Sequence, residues 1–200
     1  MNSVGISNSS YRRFTTHANS RWSIIIAFIW GFAEATAFFI VPDVYLGFVA
    51  LFNWKRGLRA MAAAIFGALV GGSVMYSLSM KDLSSVNVFL TRIPLINVEM
   101  VADIANKMQN DGLLTMVNGP LRGVPYKIYA VQAGGQSLPY LSFLLMSILA
   151  RLERLLPVTL LAGILGKWFR GFFEKRTALV IVAYILIWGI IYFLYYLRFR

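Results

Sequence analysis

Two carboxylates lie in the first strongly apolar stretch of the chain, "WGFAEATAFFIVPDVYLGF". Glu34 and Asp43 are nine positions apart, and Pro42 directly precedes Asp43. A charged side chain at the bilayer centre costs about 2.5–3.5 kcal/mol on insertion scales, so it persists where it is paired or faces water. Because a low dielectric disfavours the charged form, such a carboxylate can take up and release a proton. The two acids therefore indicate a site for proton transfer or for ion pairing, and Asp43 beside proline is also a typical turn residue.

Basic residues that could meet these acids occur in two later segments. Arg151 and Arg154 are three positions apart and share one face of a predicted helix. Arg122 and Lys127 lie in a proline-rich segment upstream of it. A guanidinium presents paired donors in a planar fork that suits a phosphate group. We expect these four residues to hold a lipid phosphate, although the Lys127 amine can also snorkel to the membrane surface.

The composition predicts an integral membrane protein of a single domain. The chain has 200 residues, of which 58% are hydrophobic, and its mean hydropathy is +0.67, whereas soluble domains have about 45–50% apolar residues. The net charge of +11 favours anionic lipid headgroups over nucleic acid in such a chain. With no cysteine, one histidine and no cluster of metal ligands, we expect no metal, no cofactor and no enzymatic activity.

The first 54 residues divide into a polar part and an apolar part. Residues 1–21 are predicted to form a disordered cytoplasmic tail in which His17 is solvated. Residues 22–54 are predicted to form a re-entrant hairpin that turns at Pro42. Its second limb has about eleven residues, which is too short to cross about 30 Å of hydrocarbon at 1.5 Å per residue.

The later segments predict a second broken element between spanning helices. Its turns are assigned to prolines and glycines, as is the turn of the first hairpin. The turn residues are Pro42, Pro120, Pro125, Gly134 and Gly135. The predicted segments are a spanning helix at 60–80, an outer amphipathic region at 81–111, a second hairpin at 112–139, and spanning helices at 140–165 and 177–197. Tyrosines near the end of the last helix suit an interfacial aromatic belt.

The distribution of charge supports this topology. The segments assigned to the cytoplasm hold ten basic residues and one acid, whereas residues 81–127 hold five basic and four acidic residues. Cytoplasmic loops of membrane proteins carry an excess of lysine and arginine. We therefore expect a cytoplasmic N-terminus, with the basic loops contacting anionic headgroups. Assembly into a homo-oligomer is left open.

Three motifs resemble the DedA family, also called the VTT or SNARE-associated Golgi domain. "EATAFFIVPDV" resembles the family's acidic residue followed by an apolar run and a proline turn. "VPYKIYAVQAGG", Val124 to Gly135, is similar to the "PFK"-like motif of a compact subgroup, and "ARLERLLP", Ala150 to Pro157, to its Gly-Arg-x-x-Arg stretch. The commoner Arg-x-x-Pro-x-x-Arg pattern is incomplete, because Ile128 stands where its second arginine would be.

The resemblance implies an all-α membrane fold with two opposed re-entrant hairpins and about three to four spanning helices. It also implies a flippase-like carrier of a phosphorylated lipid in a bacterial inner membrane, with undecaprenyl phosphate as the best guess. Proton coupling would involve Glu34 and Asp43, and the phosphate would bind Arg122, Arg151 and Arg154. The alternatives are an energy-independent phospholipid scramblase and, from another class, a membrane assembly protein or a lipid enzyme.

Overall fold

The computed structural model describes residues 3–117, 119 and 122–199, and the regular structure of these residues is entirely helical. A short 3-10 helix covers Gly112–Met116. The α-helices of the described residues are α1 Ser3–Asn19, α2 Trp22–Thr36, α3 Asp43–Phe52, α4 Trp54–Lys81, α5 Leu83–Thr91, α6 Val98–Asp111, α7 Tyr126–Gly135, α8 Tyr140–Trp168, α9 Arg170–Lys175 and α10 Thr177–Phe199.

The break between α2 and α3 is where the sequence predicts it, although α2 ends earlier than the apolar run does. The segment 37–42 has no regular structure, and Pro42 directly precedes the first residue of α3. The indole nitrogen of Trp30 donates a hydrogen bond to the carbonyl of Ile40 at 2.9 Å. This bond ties the non-helical segment back to α2, so Glu34 and Asp43 are brought to neighbouring positions.

Glycines allow α2 and α7 to lie directly against α4. A Cβ atom at Gly31 would overlap the carbonyl oxygen of Ala64, and one at Gly67 would overlap that of Phe28. On another face of α4, a Cβ atom at Gly72 would overlap the Tyr126 hydroxyl. The small residues of α4 thus permit close helix packing, as the sequence indicates.

Helix α7 is almost wholly buried and begins directly after Pro125. Gly134 and Gly135 were expected to form a turn, but they are the last residues of α7. Gly134 faces the Tyr76 carbonyl on α4, and the chain turns beyond them, where Ser137 has φ +54°. Their small size therefore serves helix packing and not the turn. Pro120 lies outside the described residues.

The prediction of a disordered N-terminal tail is wrong. Residues Ser3–Asn19 form α1, which packs on α3 through aromatic contacts: the Phe14 ring lies 5.5 Å from those of Phe48 and Phe52. His17 is not solvated, because its Nε2 lies 3.0 Å from the Tyr45 hydroxyl. The prediction failed because it rested on the polar composition of the segment. Its aromatic residues Tyr11 and Phe14 lie on one helix face and pack against α3.

Of the described helices, α4 and α10 are long and apolar enough to cross a membrane. In the apolar 18-residue stretch of α4, half of the residues are buried inside the protein, whereas in that of α10 only 6% are buried. Large apolar side chains are also exposed on α2 and α8, Ile29 and Leu149 among them. An all-helical fold with this surface is compatible with a membrane protein.

Candidate functional site

Glu34 and Arg151 form an ion pair in the interior. Glu34 lies in the last turn of α2, and its Oε2 is 2.5 Å from Nη2 of Arg151 on α8. The two side chains are 3% and 1% exposed. Gly31, one turn before Glu34, lets α2 press onto α4 and so directs the carboxylate inward.

Asp43 and Arg154 form a second pair beside the first. Asp43 is the first residue of α3, and its Oδ2 accepts a hydrogen bond from Nε of Arg154 at 3.2 Å. Asp43 is 2% exposed, but Arg154 is 21% exposed. The two arginines share one face of α8, as their spacing predicts, and each takes one of the two carboxylates.

Lys127 completes a cluster of five buried or half-buried ionisable groups. It lies in the first turn of α7, is 2% exposed, and donates from Nζ to the carbonyl of Phe38 at 3.0 Å. The prediction that it can snorkel to the surface is wrong, because its side chain points to the non-helical segment 37–42. Three cations against two carboxylates leave the cluster a formal charge of +1.

A cation–π contact and a hydroxyl chain, both missed by the sequence reasoning, hold Arg151 from the other side. Its Cζ atom lies 4.1 Å from the centre of the Tyr126 ring. The Tyr126 hydroxyl donates to Oγ of Ser147 at 2.9 Å, and Ser147 donates to the Phe143 carbonyl at 2.7 Å. The available signal was the position of Ser147, one helical turn before Arg151. Within the described residues, the buried Nε of Arg151 has no hydrogen-bond partner.

Arg122 does not join the cluster, contrary to the sequence prediction. It lies in a turn before α7, where its backbone N–H donates to the Gly119 carbonyl at 3.0 Å, and it is exposed. Lys127, five residues later, begins the buried helix. Because burial starts only at α7, Lys127 lies in the cluster and Arg122 does not.

A cavity of about 210 Å³ opens beside the ion cluster. In the described part of the chain, its charged lining residues are Glu34, Lys127 and Arg154. The rest of its wall is mainly apolar and aromatic, and comes from both broken segments, from the α5–α6 connection and from α10. These residues are Phe39, Val41, Ile93, Pro94, Leu95, Ile96, Gly123, Pro125, Trp188, Ile191, Tyr192 and Tyr195.

Helix α10 closes one side of this cavity through its tyrosines. The Tyr192 hydroxyl accepts a hydrogen bond from the Val41 N–H at 2.8 Å, and the Tyr195 hydroxyl donates to the Gly123 carbonyl at 2.7 Å. The sequence had placed both tyrosines in an interfacial belt. In the structure both hydroxyls contact the backbone of the two broken segments, because these segments leave polar groups unpaired by helical bonds.

The arrangement places a net positive charge at the edge of an amphipathic cavity. Such a site can bind an anion whose remainder is apolar, and its two carboxylates can exchange partners or take up protons. No protein-family model matches the chain, and no curated protein or solved structure matches it. The function must therefore be inferred from these residues.

Proposed function

We propose that the protein is a membrane carrier for a phosphorylated lipid, and that the cavity beside the ion cluster receives the phosphate. One observation carries the proposal: among the described residues that line an otherwise apolar cavity, the cations Lys127 and Arg154 outnumber the one carboxylate, Glu34. The surplus positive charge suits a lipid phosphate, and the apolar wall suits its chain. Undecaprenyl phosphate is the best candidate, on the basis of the resemblance to the DedA family.

We further propose that two re-entrant hairpins face each other in the bilayer, as in that family, with α4, α8 and α10 as the spanning helices. Helix lengths support this arrangement. The 15 residues of α2 extend about 22 Å and the 10 residues of α3 about 15 Å, both short of about 30 Å of hydrocarbon. Irregular backbone at 37–42 is tolerated at that depth because it lines a cavity.

In the proposed mechanism the phosphate and the carboxylates compete for the same cations. Arg154 is the more accessible arginine, so it and Lys127 make the first contact with the phosphate. Protonation of Asp43 releases Arg154, which can then bind the phosphate with its full charge. Loss of that proton restores the ion pair and expels the lipid. A proton gradient would thereby drive transport.

Transport of a labelled lipid phosphate in proteoliposomes tests this proposal. We expect Lys127→Ala and Arg154→Ala each to lower the rate about tenfold or more, equivalent to about 1.4 kcal/mol or more. Lys107→Ala is the matched control, because Lys107 is 51% exposed and pairs with Asp103 on α6. A carrier in which both site variants keep the wild-type rate would contradict the assignment.

The second candidate is an energy-independent phospholipid scramblase. It is favoured by the pairing of both carboxylates with arginines, which can hold the hairpins together without any proton transfer. The same proteoliposomes distinguish the two. A scramblase moves lipids at equal rates with and without an imposed pH gradient and has little headgroup preference, whereas the proposed carrier responds to both.

A further inference from the structure

A groove separate from the ion cluster runs along the C-terminal half of α8. Two adjoining concavities, about 200 Å³ and about 400 Å³ in volume, share Trp54, Gly163 and Lys167 among their lining residues. We name the pair the α8 groove. It has no described lining residue in common with the cavity at Glu34 and Arg154. The proposed carrier site therefore does not account for it.

The smaller part of the α8 groove is apolar. Its wall includes Leu58 of α4 and Leu160 and Ile164 of α8, and the last two are 40% and 46% exposed. Gly163 lets Trp54 lie directly on α8, because a Cβ atom there would come within 2.7 Å of the Trp54 Cβ. The result is a narrow apolar strip between α4 and α8 that is open at the protein surface.

The larger part is polar and basic. Tyr11, Thr15 and Asn19 of α1 line it together with Lys167 and Arg170. The Thr15 hydroxyl is buried and has no hydrogen-bond partner in the described part of the chain. Arg170 is 71% exposed and pairs with Glu174 at 3.0 Å, but no aspartate or glutamate is among the described residues that line either concavity.

Further positive charge comes from the start of α4. This helix has 28 residues, and its N-terminal end, at Trp54, lies in the groove wall. The end of a helix with free N–H groups carries a partial positive charge. Lys55 follows directly, with its Nζ 5.9 Å from the Trp54 ring. The polar part of the groove is thus suited to a phosphate, and Trp54 lies between this part and the apolar strip, as tryptophan does at membrane interfaces.

We propose that the α8 groove binds an anionic glycerophospholipid as a resident ligand. One acyl chain would lie in the strip along Leu160 and Ile164, and the phosphate would lie near Lys167 and Arg170. This lipid would connect α1, the α3–α4 junction and α8, and would stabilise the protein without being transported. The proposal does not depend on the carrier function.

Lipid-dependent thermal stability of the delipidated protein in detergent tests the headgroup part. Phosphatidylglycerol is expected to raise the unfolding temperature, because it binds only the folded protein, whereas phosphatidylcholine and inorganic phosphate are not. Lys167→Glu should weaken the apparent affinity for phosphatidylglycerol about tenfold or more. Arg59→Glu makes the same charge change at an exposed position of α4 that does not line the groove, and should leave the affinity unchanged.

The acyl-chain part is tested by filling the strip. Ile164→Trp should abolish retention of phosphatidylglycerol in native mass spectrometry, whereas Leu161→Trp, on an exposed neighbouring position of α8, should retain it. Equal stabilisation by phosphatidylcholine would overturn the proposal, as would equal losses in Lys167→Glu and Arg59→Glu. Full stabilisation by inorganic phosphate would also overturn it and indicate a site for free phosphate. If Lys167→Glu does not fold, the comparison of Ile164→Trp with Leu161→Trp decides.

Discussion

Glu34 and Arg151 form the most deeply buried ion pair among the described residues. Removing one partner of such a pair leaves an uncompensated charge, which typically costs about 3–5 kcal/mol. We expect Glu34→Leu to lower the free energy of unfolding in detergent by about that amount. The double variant Glu34→Leu/Arg151→Leu should recover most of it, because neither charge of this pair is then left buried without its partner.

An exposed pair provides the control for this cycle. Lys107 and Asp103 are about half exposed and lie at i, i+4 on α6, so their separation should cost only about 0.3–0.5 kcal/mol. Should the double variant at Glu34 and Arg151 be no more stable than Glu34→Leu alone, the loss would come from disrupted packing and not from an unpaired charge.

At the scale of single residues, the sequence predicts the members of the cluster better than their partners. Intramembrane acids need cations, and the i, i+3 spacing of Arg151 and Arg154 places both on one face. The exclusion of Arg122 from the cluster could not be predicted, because it depends on where α7 begins. The role of the Ser147 hydroxyl could not be predicted either, since its bond to the Phe143 carbonyl is usual for a serine in an apolar helix, whereas its contact with Tyr126 depends on how α7 packs against α8.

The contact between α2 and α4 is set by two glycines that face the partner helix. A Cβ atom at Gly31 or Gly67 would overlap a backbone carbonyl, and backbone cannot move aside as a side chain can. We expect Gly31→Ala to cost about 1–3 kcal/mol in the free energy of unfolding through overpacking. It should also slow transport, because Glu34 lies one turn further along α2.

Gly189→Ala is the matched control for this prediction. No described atom lies within 4 Å of a Cβ atom at Gly189 on α10, so the new methyl group meets open space. Alanine favours helix by about 0.8–1.0 kcal/mol over glycine, so this variant should be as stable as the wild type or more stable. Equal melting temperatures for Gly31→Ala and Gly189→Ala would show that α2 and α4 are not in tight contact.

Helix α10 is held to the two broken segments by tyrosine hydroxyls, although most of its surface is exposed. Removing the Tyr192 hydroxyl leaves the Val41 N–H without this partner. We expect Tyr192→Phe to increase amide hydrogen exchange in residues 37–42, and most at Val41, since the bonds from Trp30 and Lys127 hold carbonyl groups of the segment and not this N–H. Tyr140→Phe removes a similar hydroxyl bond, to Ser73, and should leave exchange in 37–42 at the wild-type rate. Unchanged exchange in both variants would mean that α10 does not restrain the segment.

At the scale of elements, the proline breaks are visible in the sequence and the docking of helices is not. Pro42 and Pro125 each stand directly before a helix, where the missing N–H is tolerated. The existence of α1 could not be read from composition, because its stability depends on tertiary contacts of Phe14 with α3. The weak periodicity of residues 81–111 likewise did not reveal that they divide into α5 and α6.

At the scale of the whole molecule, large apolar side chains are exposed along α2, α4, α8 and α10. Exposed Phe66, Val70, Val74 and Leu78 form a stripe along α4, spaced four residues apart. The surface of α10 is similarly apolar along its length. Contiguous apolar surface of this extent marks a lipid or protein contact. Charged residues lie at the ends of α4, as Lys55 and Lys81 do, or in the interior, as Glu34 and Arg151 do.

The absence of cysteine from the native sequence permits a direct test of the proposed topology. In the re-entrant arrangement, α2 and α3 begin and end on the same face, so Arg12→Cys and Lys55→Cys should react with a membrane-impermeant thiol reagent from the cytoplasmic side. Lys107→Cys, on the exposed face of α6, should react from the opposite side.

Opposite labelling of positions 12 and 55 would instead indicate one crossing by the whole of residues 22–54. Because α2 and α3 together extend about 37 Å, a single crossing is long enough in principle. The hydrogen bond from Nδ2 of Asn53 to Oδ1 of Asn19, at 2.5 Å, favours the hairpin instead, because it brings the two ends of the α2–α3 segment together.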